Sequence, residues 1–164
     1  NAHGKLAYIR EVFDNNDSKQ FDIFKGNLHV ATMLPDDLKL PIPIQSQTAL
    51  RGQYTEDTLP SQEKFSLYHL TDGAPEFALA GDKAASLKQT FRTSFRQGKI
   101  QPYTSLGLGY IHDSKRTLLT STIGTDIHLK PFFAQASYNI PLYETQNLHK
   151  TQSPKTTLKL GVRF

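Results

Sequence analysis

Residues 156–164 read Thr-Thr-Leu-Lys-Leu-Gly-Val-Arg-Phe, and this ending decides how the rest of the chain is read. Leu158, Leu160, Val162 and Phe164 alternate with Lys159, Gly161 and Arg163, the period-two pattern of a strand with one apolar and one polar face. The ends of soluble domains are usually frayed and polar. A strand that runs into a closing aromatic suggests instead a transmembrane β-barrel, in which lipid-facing and lumen-facing residues alternate and aromatics sit at the interface. The same alternation fits the last strand of a soluble sandwich, so the choice falls to the remaining sequence.

Working outward from that ending, strand patterns recur along all 164 residues and no sustained helical face appears. The alternation and turn chemistry place strands at Lys5–Phe13, Phe21–Met33, Ile44–Tyr54, from Ser86 to about Phe95, Pro102–Ile111, Leu118–Ile127 and Phe132–Ile140, besides the last. Asp14–Ser18, Arg96–Lys99, His112–Lys115 and His128–Pro131 supply turns, and Pro41 and Pro43 delay the third strand to Ile44 because proline cannot donate to a ladder. The pattern predicts an all-β, antiparallel up-and-down meander of eight strands. Thr55–Lys83 is the longest irregular segment, and loops of that length in compact proteins are usually functional.

Composition narrows the classes. Apolar residues make up 37% of the chain and mean hydropathy is −0.47, with no run near the roughly 18 apolar residues of a membrane helix. A barrel escapes that test, since only alternate residues need be apolar. The absence of cysteine rules out disulfides and thiolate metal sites. A net charge of +4 comes from scattered cations, Lys115-Arg116 being the one adjacent pair, which argues against a nucleic-acid patch.

The aromatics favour the membrane. With Tyr54, Tyr110 and Tyr138 at the long-loop ends of outward faces and Phe95, Phe132 and Phe164 at the opposite ends, the reading predicts two girdles. The inward face carries Arg51, Lys88, Arg92, Arg96, Lys159 and Arg163. Charges are tolerated on a wet inner wall, whereas a Lys or Arg at mid-membrane on the lipid face costs about 2–4 kcal/mol. A basic lumen would hydrate a pore and touch a passing unfolded chain weakly. The same residues also serve simply as a solvated wall, or as partners of lumen acids such as Asp126.

Catalytic signals are lacking. The six histidines have no metal-ligand spacing, no Gly-x-Ser-x-Gly occurs, and Gly107-Leu108-Gly109 lacks the third glycine of a dinucleotide site. Small residues facing a lumen explain that glycine pair better, and His112-Asp113 reads as a polar turn. The sequence predicts no enzyme activity, no metal and no cofactor.

Tyr54 to Leu67 reads Tyr-Thr-Glu-Asp-Thr-Leu-Pro-Ser-Gln-Glu-Lys-Phe-Ser-Leu, and Ala80-Gly81-Asp82-Lys83 follows. With Gln101-Pro102-Tyr103, a Gly-rich strand after it and the ending Leu-Lys-Leu-Gly-Val-Arg-Phe, the chain resembles the two-partner secretion transporters, the haemolysin- and haemagglutinin-secreting outer-membrane proteins. The resemblance spans residues 20–164 in order. Its loop residues are Leu59, Ser61, Glu63, Phe65, Gly81 and Asp82, and Leu158, Leu160, Val162 and Phe164 would form the assembly strand.

The resemblance implies a transmembrane barrel of about 16 strands, of which residues 1–164 would be the C-terminal portion, without the periplasmic POTRA domains and the first barrel strands. It implies a bacterial outer-membrane pore exporting a large secreted partner of haemolysin, adhesin or haem-acquisition type. The cargo, the outer-membrane lipids and the barrel-assembly machinery would be its partners, and nucleic acid would not. The long loop would enter the lumen and control conductance. Two features depart from the family pattern. The family loop carries Val-Arg-Gly-Tyr/Phe, whose Arg reaches an Asp on the strand matching Pro102–Ile111. Here no Arg lies between Arg51 and Arg92, and Gly107 stands at the Asp position. Both halves of the ion pair are missing together, which strands no lone charge. The competing reading is a small soluble β-barrel or sandwich binding a small ligand, which would need an apolar rather than a basic and Gly-rich interior.

Overall fold

The computed structural model describes residues 2–13, 19–34, 42–70, 80–145 and 153–162. Its strands are β1 (Ala2–Phe13), β2 (Lys19–Met33), β3 (Ile44–Tyr54), β4 (Phe65–Ser66), β5 (Ala80–Gly81), β6 (Ala84–Thr93), β7 (Ile100–Ile111), β8 (Arg116–Leu129), β9 (Phe132–Glu144) and β10 (Lys155–Val162). Eight of them form one sheet in the order β1-β2-β3-β6-β7-β8-β9-β10, and β4 pairs with β5 apart from it. Every neighbour is antiparallel, as the meander requires. The sheet does not close: β1 and β10 each pair on one side only among the described residues. No helix there is long and apolar enough to cross a membrane.

The faces of the sheet are inverted relative to a soluble domain. One face exposes Phe24, Leu50, Tyr54, Leu87, Leu106, Tyr110, Ile123, Phe132 and Leu160. The opposite face holds buried Gln53, Ser86, Ser105, Thr120, Thr122, Asp126, Ser137 and Asn139. Because side chains alternate along each strand, the polar residues share the inner face and the apolar ones the outer. Register brings Leu28, Leu50, Leu87, Leu108 and Leu119 directly opposite one another, a leucine row crossing β2, β3, β6, β7 and β8 on the outer face.

Short turns close one end of the sheet. The β6–β7 turn holds Arg96, Gln97 and Gly98 at positive φ, and the β8–β9 turn lies beside it, with the His128 N–H donating to the Lys99 carbonyl at 2.8 Å. The β3–β6 connection covers the inner face near the other end. Among the described residues the buried apolar side chains lie where it does so: Leu67, Leu70, Ala84, Ile111 and Leu118 form one cluster and Ile23 with Leu59 another.

Strand boundaries differ from the sequence reading mainly at β9. It continues through Pro141 to Glu144, with a register irregularity opposite Leu119 and Thr120. The bulge absorbs the extra residue and lets the strand go on. Tyr138 therefore lies halfway along β9 rather than at its end, and Tyr143 is the exposed aromatic near the long-loop end. Phe164 and the Asp14–Ser18 turn lie outside the described residues.

Candidate functional site

The inner face is organised by the segment joining β3 to β6. Its β4–β5 hairpin pairs Phe65 with Gly81 and Ser66 with Ala80, and the 3-10 turn Leu67–Leu70 that follows β4 packs on β6 and β7. Leu67 and Leu70 fit against the wall because β7 presents two residues without side chains. A Cβ at Gly109 would stand 2.7 Å from both terminal methyl groups of Leu67. One at Gly107 would meet Thr120 Oγ1 at 2.7 Å and Leu70 Cδ2 at 3.0 Å. Any larger residue at either position would force the turn off the strand.

Polar contacts hold the turn in place. Thr120 Oγ1 donates to the Leu70 carbonyl at 3.0 Å, and Lys88 Nζ donates to the His69 carbonyl at 3.0 Å. His69 Nδ1 lies 3.2 Å from the Ser66 carbonyl and Nε2 lies 2.8 Å from Ser86 Oγ. A carbonyl only accepts, so Nδ1 carries the hydrogen and neutral Nε2 accepts from the serine hydroxyl. Burial, with Arg51 and Lys88 nearby, lowers the His69 pKa to about 4 despite the Ser66 carbonyl, which favours the charged form.

Both ends of the connection are tied down. Lys25 Nζ is 3.3 Å from Glu63 Oε2, and Gln53 Nε2 donates to the Glu63 carbonyl at 3.0 Å. Asp82 Oδ1 accepts the Leu59 N–H at 3.1 Å and lies 3.5 Å from Lys64 Nζ. Asp113 Oδ2 in turn accepts the N–H groups of Asp82 at 2.6 Å and Lys83 at 3.1 Å.

Toward the short turns the inner wall changes character. Arg92 Nη2 lies 3.0 Å from Asp126 Oδ2, and Nη1 donates to Gln101 Oε1 at 3.0 Å. The guanidinium stands over the Tyr103 ring at 5.3 Å, and the Tyr103 hydroxyl accepts from Gln135 Nε2 at 3.4 Å. One network thus joins β6, β7, β8 and β9. Among the described residues no cluster of His, Asp or Glu could hold a metal ion.

These observations locate the residues singled out in the sequence. Arg51, Lys88 and Arg92 face the covered side, the first two beside His69. Lys159 pairs with Gln135 in register and is exposed. Arg96 stands apart, exposed in the β6–β7 turn rather than on a strand, and Arg163 lies outside the described residues. Of the loop set, Leu59 is buried, Ser61 is exposed, Glu63 and Asp82 anchor the connection, and Phe65 and Gly81 form the hairpin. Leu158, Leu160 and Val162 are exposed on the outer face.

Over residues 5–129 the chain matches the family described as haemolysin secretion/activation protein ShlB/FhaC/HecB. The chain belongs to this family. Family members are secretion transporters rather than enzymes. Among solved structures it is similar to CdiB from Acinetobacter baumannii, at 20% identity and a TM-score of 0.73, a likeness of fold. That match covers 88% of this chain and 27% of the CdiB chain, so the residues in hand span about a quarter of the neighbour's length. A comparison with curated protein sequences gives no match.

As a haemolysin secretion/activation chain the protein holds its inner loop without the expected Arg–Asp pair. Gly107 occupies the position read as the family's Asp, and Leu70 fills the space above it. Sequence reasoning did not identify Leu67 and Leu70 as the residues that dock, nor Asp113 as the acceptor for two backbone N–H groups. The one signal was the Gly107/Gly109 pair at strand spacing, two adjacent gaps on one face into which knobs of another segment can fit.

Proposed function

We propose that this chain forms the C-terminal part of a bacterial outer-membrane pore that exports a large secreted partner in two-partner secretion. The cargo would be a protein of haemolysin, adhesin or haem-acquisition type. The observation that carries the reading is the inversion of the faces: leucines and aromatics outside, hydroxyls, amides and ion pairs inside, with a loop lying on the polar side. Lipid can receive such a sheet only as part of a closed barrel, and in this reading the remaining strands come from the rest of a longer chain. An unfolded cargo would pass along a wall of small, polar and basic residues that offers many weak contacts and no deep apolar pocket. Lumen-side cations such as Arg51 and Lys88 are then wall residues, and the connection between β3 and β6 is the element that must yield during passage. Lipids of the outer membrane and the barrel-assembly machinery would be the other partners. A small-ligand barrel would need its apolar face turned inward, the reverse of what the alternation gives.

Outer-membrane fractions from cells making the full-length protein supply the test. A band that shifts on heating, with cargo in the medium that disappears on deletion of the gene, is the expected result. A soluble product with no shift would sink the pore.

A further inference from the structure

The outer face carries an apolar groove that the export reading does not use. It has a volume of about 410 Å³ and lies where β8, β9 and β10 meet the short-turn end, lined by Ile127, Leu129, Phe132, Ala134, Leu160 and Val162. These residues point outward, and Phe132, Leu129 and Leu160 are exposed at 62%, 53% and 72%. The groove is continuous with the apolar outer face of the sheet.

Cations cluster beside it. Lys130 sits in the turn between groove-lining Leu129 and Phe132, and Lys99 is held against that turn by the bond from the His128 N–H to its carbonyl. Arg96 shares the Lys99 turn. All three side chains are exposed, and among the described residues none has an ion-pair partner. Asp126, the one described acid near this end, faces inward and is paired with Arg92. The opposite end is different: Glu56, Asp57, Asp82, Asp113 and Glu144 all lie there. An unpaired basic rim above an apolar groove on a membrane-facing wall has the amphipathic form of a single lipid molecule. Its headgroup would be anionic and its chains would run down the wall.

We propose that the β6–β7 and β8–β9 turns and the groove beside them form a binding site for an anionic glycerophospholipid. Lys99 and Lys130, with Arg96, meet the headgroup phosphate, and one acyl chain lies in the groove. The site rests on the outer-membrane reading, in which the short-turn end faces the periplasmic, phospholipid leaflet. It would fix the height of the barrel at that leaflet. Each cation near a membrane surface changes anion affinity about fivefold, so two lysines set a preference of roughly 25-fold.

The experiment is native mass spectrometry of the full-length protein released from mixed phosphatidylglycerol and phosphatidylcholine nanodiscs. The expected result is retention of phosphatidylglycerol about 25-fold over phosphatidylcholine. Lys99→Gln/Lys130→Gln should abolish the preference and Lys99→Arg/Lys130→Arg should keep it, both with a normal heat-shifted band. Ala134→Phe, which fills the groove and leaves the charges, should lower retention of the diacyl lipid without affecting weak binding of free glycerol phosphate. Equal retention of the two lipids by the natural chain would overturn the proposal, as would a preference unchanged in the glutamine variant. Displacement of the diacyl lipid by free glycerol phosphate at equal concentration would also overturn it, leaving a site for phosphate alone. Loss of a soluble-domain contact in the glutamine variant, with lipid retention intact, would make the rim a protein interface instead. A protein that gives no heat-shifted band fails at the pore reading, while a shifted, secreting protein without lipid preference fails here alone.

Discussion

Two stretches of the same inner wall solve the problem of polar burial in opposite ways. Beneath the loop, the wall is stripped of bulk: Gly107 and Gly109 receive Leu70 and Leu67, while Thr120, Ser86 and Lys88 each satisfy one neutral group on the loop. Toward the short turns it is charged, with Arg92, Asp126, Gln101, Tyr103 and Gln135 joined across four strands. The first arrangement holds the turn by shape and by hydrogen bonds to its neutral groups, contacts that separate more readily than an ion pair. The second binds strands that stay together, because breaking a half-buried ion pair leaves both partners poorly solvated. The difference teaches that one face can hold a loop mainly by shape and its own strands by paired charge.

The sharpest way to break the contrast is to put bulk under the loop. Gly107→Asp would force a side chain into space already filled by Leu70 and Thr120, directly across the ladder from Lys88, which now donates to the loop. It should weaken loop docking by about 3 kcal/mol, the upper range for overpacking a filled site. Greatly increased proteolysis of residues 55–83 and larger single-channel conductance are the readouts, with the heat-shifted band retained.

A second variant attacks the permanent region. Asp126→Ala leaves Arg92 with only Gln101 and the Tyr103 ring and should cost about 1–3 kcal/mol, seen as a lower temperature of the heat-induced gel shift. Loop proteolysis should stay at the natural level. A matching rise in loop proteolysis would show that the two regions are one unit.

Smaller still is Thr120→Val, which removes the hydroxyl that bonds the Leu70 carbonyl and should loosen the loop by about 1 kcal/mol. Conductance noise would report it.

The mildest test is pH. Docked His69 is neutral with a pKa of about 4, against an ordinary value of 6.5 when the loop is free. The released loop therefore binds a proton that the docked loop refuses. Docking is at full strength above pH 6.5 and is lost progressively as pH falls toward 4. Between pH 7 and 6 the open population should rise by up to about threefold, and His69→Gln should flatten the response. A response of the opposite sign would mean that the charged imidazole is the docked form.

Much of this architecture was legible because the relevant signals are local. Ile44–Tyr54 was read to the residue, since Pro41 and Pro43 stop it on one side and the loss of alternation ends it on the other. The inward placement of Arg51, Lys88 and Arg92 followed from period two alone. Pro141 hid the end of β9, because a proline inside an apparent strand reads as its end and nothing local announces a bulge. The docking of Leu67 and Leu70 was hidden for another reason. A single 3-10 turn is too short to show a period, and which gap it fills is decided by contacts some forty residues away in sequence. The glycines that admit it were visible, but a vacancy does not name its occupant.

The leucine row has a consequence for how the wall is assembled. Leu28, Leu50, Leu87, Leu108 and Leu119 stand opposite one another only when all five strands share one alignment. A slip of one residue in any of them would turn its leucine toward the wet side and set a polar neighbour against lipid. A slip of two would keep the faces but open a gap in the row. A register error in any one strand is therefore penalised by its immediate neighbours, whether or not the rest of the wall is complete.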